Sequence, residues 1–454
     1  MPKKKTALTI EERLQQALVP AEEQPYEVPE NWVWVRLGAI AEIVTGGTPS
    51  KKHPEYYGGN FPFYKPSDLD QGRLTYDASE YLSEEGKKVS RIIPKNSTAV
   101  CCIGSIGKCG YLMCEGTTNQ QINSAIPKIN SLCLYYYLCT ENFVQELLSM
   151  ASATTIAIVN KSKMESCAFP LPPLSEQQRI VERIEELFAK LDEAKERLQE
   201  VADSFAVRKA AILHKAFTGE LTKQWRWENG VSDESWEEKK FDDCIEKMQN
   251  GLSKRKGDEG NNIGVLRLAN LSEDDLVLDD LRYILLTEKE EKNYLLSKDD
   301  VIMIRVNGSK DNVARQIVIN TDEKLDFCDH IIRIKYNPNI VARYVMYFSK
   351  TNAYRKYVED NMVSSAGQNT ISRKGLASLV IPLPSIEEQH EIVRLIDDLL
   401  ARERKAQQAT EQALASIDLM KKSILARAFR GELGTNKASE ASALELLKQV
   451  LAED

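Results

Sequence analysis

The chain contains itself twice, and this limits its fold more than any other feature. Residues 170–221 align without a gap onto 382–433 at a constant offset of 212, and 20 of the 52 pairs are identical. The two copies open as PLPPLSEQQRIV and PLPSIEEQHEIV and close as KAFTGEL and RAFRGEL. The same offset pairs 156–160 with 368–372 and Met164 with Leu376; nearer the start, Trp32, Leu37, Ala41 and Gly47 match Trp236, Phe241, Ile245 and Gly251 at an offset of 204. A period near 210 residues is far longer than a solenoid repeat, so each copy is a whole globular domain followed by a helix.

Periodicity gives the helix. Pro172-Pro173 stops it from running backwards, Ser175 is placed to cap it, and Gly219 and Gly431 stand where the two copies should end. Ile180, Ile184, Leu187, Leu191, Ala194, Leu198, Val201, Phe205 and Ile212 keep one heptad frame, the pattern of a coiled-coil seam. The second copy keeps Ile392, Ile396, Leu399, Ala406, Ala413, Ile417, Met420 and Ile424 but sets Glu403 and Thr410 in the seam, so its middle should be weaker. A helix of about 43 residues is roughly 65 Å long and should outrun its own globular half, which leaves the other helix as its partner. Antiparallel pairing is expected.

The resulting plan has an N-terminal segment (1–31), a first globular domain (32–169), a first helical spacer (170–221), a polar linker (222–235), a second globular domain (236–381), a second spacer (382–433) and a tail (434–454). Both globular domains read as mixed α+β. Strands are expected at 92–93, 99–103, 301–304 and 331–334, and single helices at 131–149 and 339–358. In the tail, 441–451 should form a short amphipathic helix that closes against 9–19.

Composition bounds the function. No apolar run approaches the ~18 residues of a membrane span. The opening Met-Pro-Lys-Lys-Lys is not followed by an apolar stretch, so a cytoplasmic location is expected. Nine cysteines lie at 101, 102, 109, 114, 133, 139, 167, 244 and 328 without a CxxC pair, which reads as core packing and no metal site. Phosphate-loop, dinucleotide, HExxH and amino-methyltransferase motifs are all missing, and the histidines at 53, 214, 330 and 390 sit in no triad. No catalytic residue is therefore expected. A net charge of −8, with 13 basic against 12 acidic residues in 32–169 and 23 against 24 in 236–381, means that any nucleic-acid face must come from local clustering.

The paired motifs PLPPLSEQQRIVERI and PLPSIEEQHEIVRLI, each opening a long helix that ends on AFTGEL or AFRGEL, resemble the spacers of type I restriction-modification specificity subunits. This resemblance spans nearly the whole chain. It implies that each globular domain is a target recognition domain for one half of a bipartite asymmetric site on double-stranded DNA, and that the helices set the gap and dock two methyltransferase subunits. Restriction subunits would join for cleavage. S-adenosylmethionine, ATP and magnesium would belong to those partners, with no cofactor on this chain. The competing reading is a coiled-coil scaffold with two protein-binding heads; a fused methyltransferase-reader is a weaker third.

Candidate DNA contacts fall in loops at matching places of the two copies. The first domain offers Thr48, Ser50, Lys51, Lys52, Lys65, Ser67, Asp68, Ser105, Lys108, Gln120 and Gln121. In the second are Ser253, Lys254, Arg255, Lys256, Arg267, Asn270, Arg305, Asn307, Ser309 and Lys310. Lysines suit phosphates, arginine also suits guanine, and amides suit adenine edges. Gly46-Gly47 is set against Asn250-Gly251, Lys65 against Arg267, and Asp68 against Asn270.

Overall fold

The computed structural model describes residues 9–71, 74–152, 157–272 and 275–453. The N-terminal basic run and Ile156 of the repeat lie outside them. The chain divides into two compact units: residues up to Leu198 together with Gln412 onward, and Gln199–Glu411. Among the described residues no helix is long and apolar enough to cross a membrane.

Two long helices, Leu174–Phe217 and Ile386–Ala428, match the expected spacers in length. Both stop at a glycine in the left-handed region, with φ of +77° at Gly219 and +74° at Gly431. Their starts differ from expectation. The Glu176 and Gln177 amides already donate to Pro173 O, so Ser175 lies inside the first turn and the capping position is 173. In the second copy the residue matching Pro173 is Ser385, and it does cap, its Oγ accepting from Glu388 N at 3.3 Å.

The helices run antiparallel. Asp192 pairs with Lys421 in the first unit, and Arg208 Nε lies 3.0 Å from Glu403 Oε2 in the second. Glu403, the charged seam residue, is thus satisfied across the pair, and Thr410 is buried with its hydroxyl on Ala406 O at 2.9 Å. The apolar stripe, however, does not serve the other helix alone. Ile180, Val181, Ile184 and Phe188 enter the core of the first domain, which Leu425 and Ala428 of the second helix, and Phe429 just past its end, also enter. In the other unit, Leu213 and Ala216 join Ile392, Val393, Ile396 and Leu400 in the core of the second domain. Each domain therefore clasps the start of one helix and the end of the other. Between these ends the seam is thinner: Ile417 is buried, Leu187, Leu191, Leu198, Leu399 and Ile424 are half-buried, Phe205 is nearly covered, and Val201 and Met420 are exposed.

The domains share a plan. In the first, a five-stranded sheet orders Ala41–Thr45, Ile122–Pro127, Thr98–Cys101, Cys109–Leu112 and Leu74–Thr75, beside a small sheet of Glu80–Leu82, Tyr57–Tyr64 and Thr117–Thr118. The second has Ile245–Asn250, Ile331–Tyr336, Val301–Ile304 and Gln316–Val318, beside Arg282–Leu286, Asn261–Leu266 and Leu325–Phe327. The expected strand at 92–93 is a lone bridge from Ile93 to Gly116. Each expected single helix is two. Ser131–Leu138 and Glu141–Met150 break at Thr140, and Ala342–Phe348 and Asn352–Asn361 break at Thr351. Each threonine donates its hydroxyl to the carbonyl three residues back, at 2.7 and 2.8 Å, and accepts the amide three residues on at 3.3 Å. That exchange ends one helix and caps the next.

A Glu-Gln pair in each spacer motif locks these parts together. Gln177 donates to Pro172 O and accepts from Asn130 N; Gln389 donates to Pro384 O and Asn339 O and accepts from Val341 N. Glu176, fully buried, accepts Trp32 Nε1 at 2.7 Å, Asn436 Nδ2 at 2.9 Å and Thr435 Oγ1 at 3.2 Å. Glu388, its repeat mate, accepts Thr222 Oγ1 at 2.6 Å and Arg226 Nη1 at 2.8 Å. Region 222–235 is consequently more than a polar linker, because it holds the helix Lys223–Asn229 and the buried Arg226. As expected, the tail forms a helix, Ala443–Ala452, which packs on Ile10–Ala17 and takes Arg13 Nη1 on Leu451 O at 3.2 Å.

Candidate nucleic-acid interface

At one end of each domain a glycine lets a loop lie on a strand end. Gly46 N donates to Ile122 O at 2.9 Å and Gly47 N to Thr118 O at 2.8 Å; Gly251 N donates to Ile331 O at 3.0 Å and Leu252 N to Phe327 O at 2.9 Å. A Cβ on Gly46 would fall 2.2 Å from Asn119 O, and one on Gly251 2.1 Å from Cys328 O, so neither position admits a side chain. These bonds make Gly46 the partner of Gly251, one residue off the expected match. The cause is a β-bulge: Ile245 and Lys247 face consecutive residues, Tyr336 and Lys335, whereas Ala41–Thr45 pairs evenly with 123–127.

From these loops Thr48, Ser50, Lys51 and Lys52 stand exposed in the first domain, and Ser253, Arg255 and Lys256 in the second. Thr48 Oγ1 bonds Gln120 Oε1 at 2.5 Å, which ties the loop to the ledge 119–121. The matching bonds place Asp329 and His330 where the first domain has Gln120 and Gln121. Sequence comparison missed this because the offset there is 209. Next to that ledge, Cys102 N donates to Gln121 O and Arg305 N to His330 O, which brings Ser105 and Lys108, or Asn307, Ser309 and Lys310, alongside. Asn307 Oδ1 accepts from Ser309 N at 2.8 Å, shaping the turn.

Several expected contacts are held inside instead. Asp68 is buried, its two oxygens accepting Lys65 N at 2.7 Å and Ser79 N at 3.0 Å. Asn270 is buried too, accepting from Arg267 N and donating to Val277 O and Asp280 O. Both are turn locks, and neither faces solvent as a base reader. Lys65 pairs with Glu80 at 2.8 Å, Lys108 with Asp70 at 2.5 Å, Lys254 with Glu290 at 2.9 Å and Arg267 with Asp280 at 3.1 Å. Lys310 is 3.8 Å from Glu359, and Ser67 is exposed. Among the described residues, Lys51, Lys52, Arg255, Lys256 and Arg305 make no side-chain hydrogen bond or ion pair, so their charge is open to an anion.

Cys328, Asp329 and His330 gather three potential metal donors within 4.8 Å. Burial pushes the Cys328 thiol up, away from the thiolate that a metal needs, and the expectation of packing cysteines fits it better. Six of the nine cysteines are buried.

The model of the type I restriction modification DNA specificity domain family matches residues 29–203 and 233–413, one copy over each domain and most of its helix. The chain belongs to this family. The chain is 29% identical over 447 residues to the type I restriction enzyme StySPI specificity subunit of Salmonella potsdam, covering 94% of this chain and 96% of that protein. Against the EcoKI specificity subunit of Escherichia coli K12 it is 25% identical over 448 residues, with the same coverage. Among solved structures, the HsdS subunit of Thermoanaerobacter tengcongensis superposes with a TM-score of 0.64 at 19% identity, over 90% of this chain and 99% of that one, a likeness of fold. In this specificity subunit each of the two family matches contains one of the loop-and-ledge ends.

Proposed function

We propose that this specificity subunit reads a bipartite, asymmetric site on double-stranded DNA, one half with each domain, for methyltransferase and restriction subunits that carry S-adenosylmethionine, ATP and magnesium. One observation carries the reading. Two ends built on the same glycine-hinged backbone bear different side chains: Lys51, Lys52, Gln120 and Gln121 at one, and Arg255, Lys256, Asp329, His330 and Arg305 at the other. Equal scaffolds suit equal docking on phosphates, and unequal side chains suit unequal base sequences. The helices set the gap between the half-sites and offer a surface for methyltransferase subunits.

Methylome sequencing of cells carrying the chain with its methyltransferase subunit tests this. Two different half-sites, separated by unread base pairs and methylated at adenine on opposite strands, are expected. A contiguous palindrome would refute it.

A further inference from the structure

In the first unit a segment of the chain lies along the outer edge of strand Val33–Arg36. Val19 N donates to Trp34 O at 3.0 Å, and Leu18 bridges Val35 antiparallel. Tyr26 then sets its ring edge-on to Trp34 with centroids 4.9 Å apart, and its carbonyl accepts Trp34 Nε1 at 3.2 Å. The Arg430 guanidinium sits 5.3 Å over the Tyr26 ring. Under this cover Trp34 is 3% exposed and Ala168 2%.

The second unit repeats the platform without the cover. Glu238 faces Pro382 as Trp34 faces Pro170, and Val380 stands in the register place of Ala168. Phe217, the repeat mate of Phe429, packs on Tyr344 and Phe348 as Phe429 packs on Tyr137 and Phe169. Yet Glu237–Lys240 is exposed throughout, Val380 is 43% exposed, and among the described residues the strand pairs only with Val380–Leu383. What remains is an open groove of about 380 Å³, lined by Leu213, His214, Phe217, Phe348, Ala353 and Val380. Lys350 and Glu238 line it as well, and Lys209 lines the adjoining hollow.

We propose that this groove, with the free edge of Glu237–Lys240, is a docking site for an extended, acidic segment of the methyltransferase subunit. The segment adds a strand to the edge and drops an aromatic side chain into the groove. An unpaired strand edge offers main-chain hydrogen bonds to an added strand, and the neighbouring pocket selects its side chain. The chemistry of the occupant follows from the segment that covers the sister platform, which carries Glu22, Glu23 and Glu27 around Tyr26. The identity of the partner rests on the assembly reading above; the groove itself does not.

The probe is a labelled peptide of residues 17–30, ALVPAEEQPYEVPE, titrated into the full chain and followed by fluorescence anisotropy. Ala210 and Ala353 both line the groove and are exposed, so Ala210→Trp and Ala353→Trp fill it from outside, and unchanged thermal melts confirm folding. Saturable binding is expected, weakened at least tenfold by either substitution and by Tyr26→Ala in the peptide. Assembly with the methyltransferase subunit should weaken in the same two variants and be inhibited by the peptide. Binding that ignores both tryptophans, or no saturable binding, overturns the site. Normal assembly of both variants overturns the methyltransferase as occupant, as does a dimer of the chain alone that either tryptophan dissociates, because that assigns the groove to a second copy. DNA half-site recognition is read separately by methylation, so a failed groove and a failed DNA reading are distinguishable.

Discussion

Arg226→Ala should destabilise the second unit while leaving the first intact. The Arg226 side chain is 7% exposed and its partner Glu388 0%. The substitution removes the 2.8 Å bond to Glu388, the 3.0 Å bond to Thr222 Oγ1 and the 3.0 Å bond to Asp233. Only the Thr222 hydroxyl then remains on a buried carboxylate whose Oε2 already has no partner among the described residues. Breaking a buried pair from one side costs about 3–5 kcal/mol, because the other charge is left in a low-dielectric interior. For a unit of this size each kcal/mol lowers the melting temperature by about 2–4 °C, so a fall of roughly 6–20 °C is expected. Calorimetry of the full chain reads the shift, and hydrogen exchange should accelerate in Lys223–Asn229 but not in Ile10–Ala17. The double variant Arg226→Met, Glu388→Met removes both charges and should recover most of the loss. A shift below about 2 °C for Arg226→Ala, or a double variant no better than the single, would refute the buried-charge argument.

Further outcomes follow from the same geometry. Gly251→Ala must displace backbone, since its Cβ would sit 2.1 Å from Cys328 O, and a strain of about 1–3 kcal/mol should weaken recognition of the second half-site by about 5- to 150-fold. Equal loss at both half-sites would count against it. Replacing Arg255 and Lys256 by alanine should lower the slope of log K against log salt by about 2, and any loss of base discrimination should fall on the half-site read by the second domain alone; an unchanged slope would remove them from the phosphate path. Burial raises the Asp326 carboxyl from 3.8 to about 6, so the folded second domain holds that proton more tightly than the unfolded chain does. The resulting stability is complete below pH 3.8 and is lost as pH rises through 6. Asp326→Asn should therefore raise the melting temperature above pH 6, by up to about 3 kcal/mol of stability, with the gain fading towards pH 4. A gain independent of pH would point elsewhere.

What the sequence determined by itself is whatever depends on period and on local backbone chemistry. The repeat, the long helices and their glycine ends follow from residues that act on near neighbours, as does the terminal helix Ala443–Ala452. The family, too, is written in motifs a few residues long. Tertiary structure alone decided the rest, because it depends on partners distant in the chain. An Asp or Asn in a loop reads as a base contact until its neighbours appear; Asp68 and Asn270 were claimed by Ser79, Val277 and Asp280. Lys65 and Arg267 look like open cations until Glu80 and Asp280 arrive 15 and 13 residues later. One extra residue in a bulge moved the loop match from 204 to 205, which no composition signals. The apolar stripe of a spacer promises burial without naming its partner. Packing assigned its two ends to the cores of two different domains, since those cores offered more apolar surface than a single facing helix.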